Sequence, residues 1–178
     1  MLKNDRKQVA FHEAAHAVVL AICQMEFTSV GIHRTSKEAK RHHRMGWLVH
    51  EYETFNIKQA AVMCIGSYAS MAAERLAGQE LGYFALSITH CLDDRLQAGQ
   101  LCGDWGFYKT RAKETARRFV QLNRDVISAV AGALLEKGEL TYKEVMEMVA
   151  QISPVIESRS ILMVAKLTFE LKNRKTVL

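Results

Sequence analysis

The chain has 178 residues, 49% of them apolar, and a formal net charge of +5. That length and apolar content suffice for one buried core without a disulfide staple. No run of eighteen or more apolar residues occurs and the first residues are polar and charged, so the sequence predicts neither a membrane span nor a signal peptide.

The first predicted element is a helix. Asn4 or Asp5 can cap its start, and Val9, Phe11, Ala14, Ala15, Val18, Val19 and Ile22 supply apolar positions at helical spacing to about Met25. Within it lies His12-Glu13-Ala14-Ala15-His16, an H-E-x-x-H motif. Helix pitch places residues four apart on one face, so two imidazoles can bind a single ion while Glu13 projects beside them toward its open position. Zinc suits such borderline-soft nitrogen ligands, and a catalytic site keeps one position free for water. Two imidazoles and a carboxylate buried without partners would cost several kcal/mol, which a metal offsets better than packing does. Two histidines are half of a site, and a third protein ligand must come from elsewhere.

Phe27 to His33 alternates and is rich in β-formers, and Gly46 to Glu53 alternates again, predicting a strand, a loop and a second strand. The intervening loop carries Arg34, Lys37, Lys40, Arg41 and Arg44 interleaved with His33, His42 and His43. It holds no aromatic residue for base stacking and matches no nucleic-acid-binding motif, which argues against a nucleic-acid partner. A helix is predicted from about Asn56 to Ala77, closed by Gly78, with Gly66, Ala69, Ser70, Ala72 and Ala73 permitting close contact with the motif helix. Residues 79 to 92 have no clear period and read mainly as loop, and a short helix is expected from Leu92 or Asp93 to Cys102. A long helix is predicted from about Lys109 to Glu136, ended by Gly138, followed by Glu139-Leu140-Thr141 and a helix from Tyr142 to Ile152. Thr141 and Glu144 have capping-box spacing there. Residues 1 to 152 form the expected domain, and 153 to 178, which begin beside Pro154, the only proline in the chain, are a C-terminal extension without a predicted element.

Cys23, Cys64, Cys91 and Cys102 are far apart and include no C-x-x-C pair. Cys23, Cys64 and Cys102 fall in helical apolar runs and read as reduced core residues, which predicts a cytoplasmic protein. By chemistry alone the third metal ligand is one of Glu74, His90, Cys91, Asp93 and Asp94, and spacing does not choose among them.

The succession of motifs resembles the proteolytic domain of the FtsH-type zinc metalloproteases over roughly residues 7 to 150. Val9-Ala-Phe-His-Glu-Ala-Ala-His-Ala17 is similar to that family's Val-Ala-Tyr-His-Glu-Ala-Gly-His-Ala pattern, and Tyr68-Ala-Ser-Met-Ala-Ala-Glu-Arg-Leu-Ala-Gly78 to its Gly-Gly-x-Ala-Ala-Glu helix. Thr89-His-Cys-Leu-Asp-Asp94 resembles its Thr-Gly-Ala-x-Asn-Asp segment, and Leu134 to Val145 its closing helices. The resemblance implies a mainly helical, FtsH-like peptidase fold with a small two- or three-stranded β element beside the H-E-x-x-H helix. It implies Asp94 as the third zinc ligand with His12 and His16, Glu13 as the catalytic carboxylate, and Glu74 as the group that orients a ligand imidazole. It also implies that Gly46, Trp47, Leu48 and Val49 belong to a strand whose backbone binds an extended polypeptide substrate.

Three departures accompany it. Ala15 stands where the family has glycine, His90 and Cys91 replace a Gly-Ala pair, and the G-x-x-x-x-G-K-[ST] loop of the family's ATPase module is absent. The expected function is therefore a zinc-dependent endopeptidase, ATP-independent on its own, with a separate ATPase chain as a candidate partner and a homo-oligomer as a candidate assembly. The rival is a non-catalytic, peptidase-like binding module with its metal site retained or lost.

Overall fold

The computed structural model describes residues 3–33, 35, 46–51, 57–80 and 106–152. In chain order these form α1 (Lys3–Ile22), β1 (Ser29–Ile32), β2 (Gly46–Val49), α2 (Ile57–Glu80), α3 (Gly106–Leu122), α4 (Arg124–Lys137), β3 (Glu139–Thr141) and α5 (Tyr142–Ile152). The described residues are mainly helical with a small three-stranded antiparallel sheet, as expected. None of the described helices is long and apolar enough to cross a membrane.

α1 is the centre of the core. Every residue from Val9 to Cys23 is buried, because α2, α4, α5, β1 and β2 all pack on this helix. Ala10, Ala14, Ala17 and Ala21 recur at three- and four-residue intervals with no exposed surface, and such small side chains let neighbouring elements approach closely. The helix starts at Lys3, so Asn4 and Asp5 lie inside it instead of capping it. It ends at Ile22, short of Met25. Met25 N donates to Leu20 O at 2.9 Å and Gln24 N to Ala21 O at 3.0 Å, a Schellman ending with Gln24 at φ 56° in the left-handed position that glycine usually fills.

α2 runs antiparallel to α1. Gly66 lies against His16 and Leu20, whereas Glu74, eight residues later, meets His12. Gly78 does not close this helix, which continues to Glu80; a glycine lowers helix propensity by about 1 kcal/mol but does not by itself end a packed helix. The single helix expected from Lys109 to Glu136 is two. Asn123 divides them, with φ −110° and ψ 21°. Its side-chain Nδ2 donates to Phe119 O at 2.8 Å while its backbone N–H donates to the same carbonyl at 3.0 Å, so the buried amide shares that acceptor with the backbone. Ala112, Ala116, Phe119 and Val120 on α3 and Val126, Ile127, Val130, Ala131 and Leu134 on α4 still face the core. Arg6 of α1 donates to Leu135 O at 2.9 Å, satisfying a carbonyl in the last turn of α4.

The sheet order is β2-β1-β3, antiparallel throughout. Ser29, Val30, Gly31 and Ile32 oppose Val49, Leu48, Trp47 and Gly46, and Val30 also opposes Leu140. Cross-strand partners share a face, so Val30, Ile32, Gly46, Leu48 and Leu140 lie on the side that meets α1. Trp47, Val49, Ser29 and Gly31 lie on the other. There the Trp47 indole covers Gly31, leaving no room for a Cβ, and tilts against the His33 ring at 4.8 Å between centroids. Both strands are shorter than the alternation suggests, since the alternating pattern continues past the last paired residue.

The expected end of α4 and start of α5 are both present. Gly138 adopts φ 89° and its N–H donates to Leu134 O, closing α4. Thr141 N donates to Glu144 Oε2 at 2.9 Å and Glu144 N to Thr141 Oγ1 at 3.3 Å, completing the capping box, while Lys137 Nζ donates to Glu144 Oε1 at 2.6 Å. Thr141→Ala is expected to lower stability by about 1 kcal/mol in denaturant unfolding; an unshifted midpoint would show that the cap contributes nothing. The Lys137 ammonium and the Thr141 donors hold the Glu144 carboxyl at about 2, below the ordinary 4.5. A depressed carboxyl stabilises the fold above its unfolded pKa, so this contribution is complete above about pH 4.5 and is lost as pH falls toward 2.

Cys23 is a buried thiol outside any disulfide, but Cys64 is disulfide-bonded, which corrects its assignment as a reduced core thiol. Bridging depends on which Cα atoms approach within about 4.4–6.8 Å, and sequence separation carries no such information. The cytoplasmic expectation loses the support it drew from unpaired thiols.

Candidate metal centre

α1 presents His12, Glu13 and His16 with only 7–8% of each exposed. The two imidazoles are one turn apart, with ring centroids separated by 5.2 Å and planes inclined at 65°. Their placement follows from the helix alone; their burial follows from what packs on it. Small residues along α2, with Ala69, Ser70, Ala73 and Ala77 almost fully buried, bring that helix close enough for its polar group to reach the motif.

That group is Glu74. Its Oε2 lies 3.2 Å from His12 Nδ1, with the carboxylate side chain 12% exposed. A carboxylate accepting the Nδ1–H fixes the ring's orientation and tautomer, so that Nε2 is the atom through which His12 would bind a metal. His16 is braced differently: a Cβ on Gly66 would stand 3.4 Å from its Nδ1, an ordinary packing distance, so α2 confines that ring without crowding it. Two imidazoles on one helical face, one of them oriented by a carboxylate, are nitrogen donors of the kind zinc accepts and supply two of the three protein ligands that a catalytic zinc site uses.

Glu13 lies beside the first residue of β2. A Cβ built on Gly46 would fall 2.5 Å from Glu13 Cγ and Oε1. The strand expected to bind substrate therefore starts against the expected catalytic carboxylate. Trp47 and Leu48 are half-buried and Val49 is 42% exposed, on opposite faces in alternation. β2 ends the sheet on its side: among the described residues no further strand pairs with its outer edge. His50, just beyond it, is pulled below the ordinary histidine pKa by burial, against a smaller opposing effect of a backbone hydrogen bond.

The structure thus brings together His12, Glu13, His16, Glu74 and Gly46–Val49. Asp94, the third ligand implied by the resemblance, and its rivals His90, Cys91 and Asp93 lie outside the described residues, as do His42, His43 and the basic loop. Among the described residues no group of three His, Cys, Asp or Glu converges as a metal site. Sequence reasoning missed the contact between Gly46 and Glu13. The only signal was a glycine opening a strand, which by itself has several meanings. Neither a protein-family model nor a curated protein matches the chain.

Proposed function

We propose that the chain is a zinc-dependent endopeptidase of the FtsH-like type acting on extended or unfolded polypeptides. The observation that carries this reading is the Glu74 carboxylate on His12 Nδ1, reached across 62 positions of sequence from a second helix. A helix-surface acid has no need of such a partner, whereas a metal-binding imidazole does. Glu13 adds the catalytic element, since a purely structural zinc site does not require a buried carboxylate beside the ligand pair.

His12 Nε2, His16 Nε2 and Asp94 would hold the ion. A bound zinc supplies Lewis acidity, polarising a carbonyl oxygen and acidifying a water molecule. Glu13 would accept, at a carboxylate oxygen, a proton from the water whose oxygen adds to the peptide carbonyl carbon, and would return it to the amine released as the C–N bond breaks. Glu74 keeps the His12 ring in one tautomer through the cycle. The outer edge of β2 offers backbone N–H and C=O groups to a polypeptide in extended form, placing it alongside the Glu13 carboxylate. Backbone pairing is tolerant of sequence and requires an unfolded segment.

The purified chain should therefore cleave casein, a flexible substrate, without nucleotide, and should leave a tightly folded protein intact. A folded substrate is stabilised by about 5 to 15 kcal/mol, and the sequence has no ATP-binding loop with which to overcome it. A separate ATPase chain would supply that step. Stimulation by ATP in the purified chain would reveal a nucleotide site, and failure to cleave either substrate would favour a non-catalytic binding module.

A further inference from the structure

We infer that Gly46 is a positioning residue for Glu13, and that its missing side chain is what gives the carboxylate its place beside β2. The catalytic consequence rests on the peptidase reading; the steric one does not. Glycine is kept at a position for either of two reasons, a backbone conformation closed to other residues or a lack of space. The first does not apply. Gly138 is the one described glycine with positive φ, and Gly46 has strand conformation, opposite Ile32 in a regular antiparallel register.

The second applies directly. A Cβ on Gly46 would stand 2.5 Å from Glu13 Cγ, 2.5 Å from Oε1 and 2.8 Å from Cδ, all well inside the optimum separation of about 3.5–4.0 Å. Because Cγ is among these atoms, rotating the terminal carboxylate does not relieve the overlap. Either the Glu13 side chain leaves its rotamer or β2 moves away from α1. Glu13 is 8% exposed and its helix neighbours are buried, so it has little free space to enter. Any residue larger than glycine at position 46 therefore separates the proton-accepting group from the strand edge at which a polypeptide would lie.

A double-mutant cycle on the zinc-free full-length chain tests the contact without reference to activity. Gly46→Ala is expected to lower the thermal unfolding midpoint by at least about 2–4 °C in the wild-type background. In the Glu13→Ala background, where the obstructing atoms are gone, the loss should be less than half as large. The same shift in both backgrounds, including no shift in either, would overturn the inference. With zinc restored, Gly46→Ala should lower kcat for an unstructured peptide at least about tenfold with KM within about twofold, because it separates a group that moves a proton from the β2 edge without removing that edge's backbone donors and acceptors. A raised KM at unchanged kcat would instead make Gly46 a substrate contact and overturn the positioning role. Coupling in the stability cycle together with an inactive wild type would refute the peptidase reading alone.

Discussion

Glu13→Gln is expected to lower peptide hydrolysis at least about a hundredfold while leaving the unfolding midpoint and zinc content unchanged. Glutamine preserves the volume and length of the side chain, so the fit against Gly46 and the packing of α1 are retained. What is lost is the ability to accept a proton. Glu13 is not placed as a ligand in this account, and His12 and His16 keep their positions one helical turn apart. The comparison is of kcat on an unstructured peptide for zinc-loaded wild type and variant, with zinc measured on the same samples. Equal turnover would remove Glu13 from the mechanism; loss of zinc in the variant would make it a ligand.

Glu74→Ala is expected to weaken zinc binding about 10- to 100-fold, measured by competition with a chromogenic chelator. The carboxylate lies 3.2 Å from His12 Nδ1 and is mostly shielded from solvent. Removing it frees the ring to rotate and to place its proton on Nε2, the atom needed as donor. Glu74→Gln should recover part of the affinity, because the amide oxygen can still accept the Nδ1–H although it carries no charge. A surface acid with no connection to the site would give unchanged affinity in both variants. At saturating zinc the Glu74→Ala variant should regain much of its turnover, which separates an orienting role from that of Glu13.

Much of this site was legible in the sequence because its first half is local. Helical spacing alone puts His12 and His16 on one face, and the apolar residues around them predict burial, which the packing of five elements on α1 fulfils. The capping box at Thr141 and Glu144 and the αL ending at Gly138 were equally readable, since each depends on residues three or four apart. Glu74 was assigned through the resemblance, and nothing in spacing would have joined it to His12. The contact between Gly46 and Glu13 depends on the depth at which β2 crosses α1, a tertiary property with no local signature. Asn123 misled in the opposite sense: the helical periodicity runs through it from Ala112 to Leu134, so the pattern gives no warning of a break at a residue whose buried amide shares Phe119 O with the backbone.

A crystal structure of the zinc-loaded chain with anomalous scattering at the zinc edge would locate the metal and identify its ligands together. One zinc per chain is expected, bonded to His12 Nε2, His16 Nε2 and an Asp94 carboxylate oxygen at about 2.0–2.2 Å. Zinc held by His90 or Cys91 in place of Asp94, or no anomalous peak beside His12 and His16 in fully loaded protein, would contradict the account.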